Sequence, residues 1–241
     1  MEGQRVSKMA EDYLKIIWEA QEWPDGSVST NGIAASLAVT PSSVSANLKK
    51  LARDGLIDYQ PYGSIGLTPV GQEIAIMVVR RHRVLETYLV ERLGLGWDEV
   101  HAEAHSLEHA VSDVVLDRMD QVLGHPAFDP HGDPIPRADG TIARSSERSS
   151  AARLSEVDPG TEARVIRISD HEPEILQYLE ERQIAVGTHV HLDGRSPVVG
   201  SVSVSRSSAT GEHADRVEIA IGAADAVWVS VDPHHVGPPD S

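Results

Sequence analysis

The sequence predicts a mainly α protein with a β C-terminal domain: a winged helix-turn-helix, two long helices and a small β-barrel. Three observations predict it. Up to Leu67 the apolar residues read as helix, short helix, helix and two short β-type runs. Between Thr68 and Gly124 they recur at helical spacing with one interruption after Gly94. From Arg164 onward, short runs rich in β-branched residues follow one another at near-regular spacing.

The first helix reads from about Ser7 to Glu22, with Ser7 as its cap. Met9, Tyr13, Ile16, Ile17 and Ala20 share a face, and Pro24 and Gly26 end it. "STNGIAASLAV" gives a short helix with Ile33, Ala34 and Leu37 inward. The third helix has Thr40 at its cap, Pro41 at its first position and Gly55 just past its end. "LIDYQPYGSIGLTPVG" forms a ribbon around a Pro61–Tyr62–Gly63 turn.

Thr68 and Pro69 open a long helix ending at Gly94. A second long helix runs from Asp98 to before Gly124, with Val100, Ala104, Leu107, Val111, Val114 or Val115, Met119 and Val122 as a buried stripe. "GHPAFDPHGDPIPRADG" to Pro159 turns rich in Pro, Gly, Ser and Ala, the composition of a linker. "ARVIRIS", "THVHLDGR", "GSVSVS", "DRVEIAI" and "AVWVSV" supply the strands, interrupted by the helix "PEILQYLEER". The expected boundaries are 1–74 for the winged helix-turn-helix, 75–141 for the helical domain, 142–160 for the linker and 161–234 for the barrel.

Composition excludes several classes. With 40% apolar and 24% charged residues the chain reads as a soluble globular protein. It has no cysteine, so disulfides, thiolate metal sites and iron–sulfur clusters are ruled out. No N-terminal signal pattern or apolar run near the ~20 residues of a membrane span is present, so no membrane partner is expected and the cytoplasm is the expected compartment. The net charge of −16 argues against nucleic acid at first. Residues 1–75, however, carry 6 basic and 9 acidic groups, whereas 151–241 carry 7 and 15. The acid is concentrated towards the C-terminus, so the global charge does not veto a local contact with DNA near the N-terminus.

In a winged helix-turn-helix the second motif helix enters the major groove by its N-terminal end. Here that end offers Thr40, Pro41, Ser42, Ser43, Ser45 and Asn47. The small residues permit close approach, the hydroxyls suit phosphate or base edges, and Asn47 suits adenine. Lys49 and Lys50, followed by Arg53, give a basic face for phosphate.

His82 and Glu86 lie four apart on the first long helix. His101, His105 and His109 follow at the same spacing on the next, with Glu108 beside the last. Any single pair is more often a surface salt pair than a ligand set. Together, on adjacent helices, these residues favour a divalent transition ion. HExxH is absent, and no nucleophile stands at motif spacing from a base, so nothing points to an enzyme or an organic cofactor.

"AEDYLKIIW", "VTPSSVSANLKKLARDGLIDY", "LTPVGQEIAIMVVRRHRVLETYL", "WDEVHAEAHSLEHAVSD" and "DPHGDPIP", in that order, resemble the diphtheria-toxin-repressor family, most closely the actinobacterial manganese transport regulators. The resemblance is strong over 7–140 and weaker over 160–232. It implies a metal-activated homodimeric repressor of metal-uptake genes. Its long helices would form the dimerisation domain, its barrel would be SH3-like and FeoA-like, and its operator would be palindromic double-stranded DNA.

The resemblance also implies two ligand sets. One is His82, Glu86 and His101, joined by Glu172, although the partner expected three residues later is Ile175. The other, used for activation, is Asp12, His105, Glu108 and His109. Asp12 replaces the methionine of iron sensors, and a hard carboxylate favours Mn²⁺ over Fe²⁺. His105 stands where iron sensors have cysteine and manganese sensors glutamate, which leaves Fe²⁺ as the alternative and lets other divalent transition ions substitute. Lys15 replaces a second glutamate of some manganese sensors, which argues against a closely spaced binuclear centre. A metal-dependent enzyme, or a regulator of a small organic ligand with structural histidines, are the competing readings.

Overall fold

The structure is a computed structural model, and it describes residues 6–23, 28–60, 63–143, 148, 151–207 and 213–231. The expected stop at Pro24 and Gly26, the Pro61–Tyr62 corner, part of the linker and residues 232–234 lie outside them. The chain divides into two compact units. One comprises Met1–Leu85, His105–Arg118 and Ile135–Ile142; the other comprises Glu86–Ala104, Met119–Pro134 and Ala143–Ser241.

In the first unit, α1 (Lys8–Glu22) starts where the Ser7 hydroxyl accepts from the Ala10 amide at 3.3 Å. α2 (Thr30–Ser36) is capped in the same way by Ser29, and α3 (Pro41–Arg53) by Thr40, whose hydroxyl accepts from the Ser43 amide at 3.2 Å. Gly55 then turns the chain with φ +73°. β1 (Ile57–Tyr59) pairs antiparallel with β2 (Ile65–Leu67), Ile57 opposite Leu67, and completes the wing. Tyr13, Leu14, Ile17, Ile33, Val44 and Leu48 are buried together as its core.

α4 (Pro69–Leu93) begins against the wing. A Cβ at Gly71 would stand 1.9 Å from the Leu56 carbonyl oxygen. Gly71→Ala should therefore cost about 3 kcal/mol of stability, the upper range for overpacking. A urea midpoint equal to the wild type's would refute this.

The expected single helix from Asp98 to Gly124 is corrected: it is two, α5 (Val100–Leu107) and α6 (Asp113–Leu123). Ser112 starts α6, its carbonyl accepting from Leu116 and its hydroxyl from Val115, with Asp113 in the first turn. The predicted stripe is only partly buried. Val100 and Ala104 are enclosed, as is Leu116, which the stripe omitted, whereas Val114 is 75% exposed and Val122 55%. α4, α5 and α6 each contribute residues to both units.

In the second unit the strands form one antiparallel sheet in the order β3-β8-β4-β5-β6-β7. They are β3 (Ala151–Arg153), β4 (Glu162–Ile168), β5 (His189–Ser196), β6 (Ser201–Ser207), β7 (His213–Ala220) and β8 (Val227–Val231). α7 (Pro173–Glu181) follows β4 and α8 (Ile221–Asp225) precedes β8. Val165, Ile168, Leu176, Leu179, Val190, Val204 and Val229 are fully buried within it. This is the expected SH3-like, FeoA-like architecture with one difference: among the described residues β3 and β7 are not paired, so the barrel is not closed.

The linker is also shorter than expected. Ala151–Arg153 pairs with β8, and Leu154 is fully buried. The loop Asp129–Pro134 belongs to this unit because it is pinned to β4: the Ile168 amide donates to the His131 carbonyl at 2.9 Å, and Arg167 Nε donates to Asp133 Oδ1 at 2.8 Å.

Candidate metal centres

The first cluster is built from α1, α4 and the turn after α5, all within the first unit. Asp12 and Lys15 lie three apart on α1 and so share a face. His105 lies in the last turn of α5, and the turn that follows the helix brings Glu108 and His109 towards them. Asp12, His105 and Glu108 each offer a ligand atom within 4.8 Å of the others. His109 Nε2 lies 2.7 Å from Asp12 Oδ1 and 3.4 Å from Glu108 Oε1. His109 Nδ1 lies 2.6 Å from Glu11 Oε2, the carboxylate–imidazole pairing that orients a ligating histidine. Glu11 was not anticipated; its signal is its place on α1 beside Asp12.

Glu108 is fully buried, and its two oxygens are divided. Oε1 faces His105 Nδ1 at 2.9 Å, whereas Oε2 accepts from Lys15 Nζ at 2.9 Å and lies 2.7 Å from His82 Nδ1. Burial opposes ionisation, but the His82 hydrogen bond and the Lys15 charge outweigh it and hold the carboxyl at about 2. The four expected residues therefore do meet. Two carboxylates and two imidazoles, one oriented by a further carboxylate, fit a divalent ion of the first transition row.

The second cluster lies in the other unit. His101 Nδ1 stands 3.2 Å from Glu86 Oε1 and 2.9 Å from Asp170 Oδ2, and each of the three offers a ligand atom within 4.8 Å of the others. His82, expected beside Glu86, precedes it by one turn of α4. Glu172 is not among the residues that meet here: it is exposed at the cap of α7, and Ile175 packs on the sheet core. Asp170, just past the end of β4, is the carboxylate that the fold brings to Glu86 and His101. His131 was also missed. It is fully buried, its Nε2 donates to the Trp97 carbonyl at 2.8 Å, and its Nδ1 faces Glu86 Oε2 at 4.0 Å.

Burial disfavours the charged His101 ring, yet the bonds to Asp170 and Glu86 push it up to about 10. A folded value raised above 6.5 means that its stabilisation is fully present below 6.5 and lost as pH rises through about 10. Metal must displace that proton, so affinity for this set should rise with pH across the same window, by up to about ten-fold per pH unit. Calorimetry at two pH values inside the window checks this, and equal affinities would contradict it.

On the DNA side, Thr40, Pro41, Ser42, Ser43, Lys49 and Lys50 are exposed. Ser45 and Asn47 are half-buried: Ser45 donates to the Pro41 carbonyl at 3.0 Å and Asn47 Nδ2 to the Tyr13 hydroxyl at 3.2 Å.

Family models agree with this layout. The iron dependent repressor N-terminal DNA binding domain matches residues 5–65, its metal binding and dimerisation domain 68–137, and the FeoA domain 152–231. The diphtheria toxin repressor of Corynebacterium glutamicum is 32% identical over 86% of this chain and 95% of its own length. The chain belongs to the diphtheria-toxin-repressor family. This diphtheria-toxin-repressor homologue is also 33% identical to the iron-dependent repressor IdeR of Mycobacterium tuberculosis over 67% of this chain and 72% of that protein. A solved manganese-dependent transcriptional repressor in complex with manganese has TM-score 0.83 and 43% identity, covering 92% of this chain and 99% of that one. The manganese regulator SloR has TM-score 0.74 and 30% identity, covering 92% and 98%. The family consists of metal-dependent DNA-binding repressors, not enzymes.

Proposed function

We propose that this chain is a Mn²⁺-activated homodimeric repressor, acting in the cytoplasm on a palindromic double-stranded DNA operator upstream of metal-uptake genes. The observation that carries the reading is Asp12, a hard carboxylate on the DNA-binding domain's first helix, placed 2.7 Å from His109. Oxygen donors suit manganese, whereas the imidazole of His105 and the iron-dependent relative from Mycobacterium tuberculosis keep Fe²⁺ as the second reading. The exposed valines of α6 provide an apolar face for the second copy. No described helix is long and apolar enough to cross a membrane.

A bound ion supplies the positive charge that the carboxylates share. Asp12 would hold it from α1, and His105, Glu108 and His109 from the segment after α4. With α1 fixed, Tyr13 passes the constraint to Asn47 on α3, the helix that presents Ser42, Ser43, Lys49 and Lys50. Pinning α3 in each protomer sets the spacing of two recognition helices against half-sites about one helical turn apart. Metal and DNA then tighten one another's binding by the same factor. Mobility-shift titration with Mn²⁺ tests the proposal: operator affinity should rise steeply with metal, and a metal-independent Kd would sink it. Fe²⁺, titrated in parallel under reducing conditions, decides the ion.

A further inference from the structure

We propose that Lys15 is a tethered cation that weakens metal binding at the Asp12–His105–Glu108–His109 set and so fixes the metal concentration at which that set fills. The inference rests on the metal reading above. Lys15 is only 5% exposed, rare for a lysine unless it is paired. Its ammonium donates to Glu108 Oε2 at 2.9 Å and lies 2.9 Å from His82 Nδ1, which itself approaches the same oxygen to 2.7 Å. The other oxygen, Oε1, faces His105 and His109. One buried carboxylate is thus shared between a fixed cation and the ligand side of the site.

The sharing has two consequences of opposite sign. A buried carboxylate without a partner is costly, so Lys15 stabilises the unloaded chain. The same charge then stands one carboxylate away from any ion held through Oε1, and like charges a few ångströms apart repel strongly where water is excluded. Lys15 therefore favours the unloaded state relative to the loaded one. Glu108 Oε2 is also held by the ammonium and the His82 ring, which leaves Oε1 as the oxygen offered to metal.

Calorimetric titration of the full chain with Mn²⁺ tests this, in a His101→Ala background so that the Asp12 set is read alone. Lys15→Gln keeps a donor for Glu108 and removes the charge. It should bind Mn²⁺ about ten-fold or more tightly than the parent while its unloaded form melts at a lower temperature. Lys15→Arg, which keeps the charge, should bind close to the parent. If Lys15→Gln lacks a native circular dichroism spectrum, Lys15→Met carries the same expectation. Binding no tighter than the parent in the folded neutral variant overturns the proposal. A parent without any Mn²⁺ binding that Asp12→Ala removes overturns the metal reading itself, and this inference with it.

Discussion

Asp12→Ala is expected to leave a folded chain whose DNA affinity no longer responds to Mn²⁺. Asp12 is half-buried on α1, and none of the residues that form the core of the first unit depends on its carboxylate. What it does supply is the oxygen 2.7 Å from His109 Nε2, the link between α1 and the turn after α5. Removing an orienting partner of a ligating histidine costs about 10–100-fold in affinity, so removing a ligand should exceed about 100-fold. Glu11→Gln provides the graded comparison. It touches only the far side of the His109 ring, at 2.6 Å, and should weaken metal binding within that smaller range. Because coupling is reciprocal, the operator should also stop tightening metal binding in Asp12→Ala. A mobility-shift curve that still responds to Mn²⁺ as the wild type does would remove Asp12 from the site.

Much of this arrangement was legible in the sequence because its signals are local. Thr40, Pro41 and Gly55 punctuate α3, and each does in the structure what its chemistry predicts. Spacing picked out His82, Glu86, His101, His105, Glu108 and His109 as candidates, whereas Asp12 entered only through the family resemblance, because its nearness to His109 is a contact between distant segments. The failures arise where a local pattern is ambiguous or a contact is distant. Apolar periodicity runs through the break between α5 and α6, since Leu107, Val111 and Val115 keep helical spacing across it. The capping pair Ser112–Asp113 was the readable sign. Periodicity also names a face without saying what covers it, and Val114 and Val122 remain exposed in the single chain. β3 carries no strand signal in Ala-Ala-Arg; its pairing with β8 makes it a strand. Asp170 meets Glu86 and His101 only through the fold, so the choice between it and Glu172 was invisible to spacing.

That choice gives the second large effect. Asp170→Asn should cost the Glu86–His101 set about 100-fold in Mn²⁺ affinity, and Glu172→Gln should cost nothing measurable. Asp170 Oδ2 stands 2.9 Å from His101 Nδ1, and its side chain is 13% exposed; Glu172 makes no capping bond and faces solvent. A second readout separates loss of a ligand from loss of fold. The high proton affinity of His101 comes first from its bond to Asp170, then from Glu86, both working against burial. Without the Asp170 charge the ring should titrate nearer its ordinary value, so the rise of metal affinity with pH should flatten above neutrality. Asp170→Asn therefore lowers affinity and shortens the pH window together. A structural defect alone would lower affinity and leave the window in place. If Glu172→Gln moves both quantities and Asp170→Asn neither, the third-domain ligand is Glu172 and the turn before α7 must rearrange on loading.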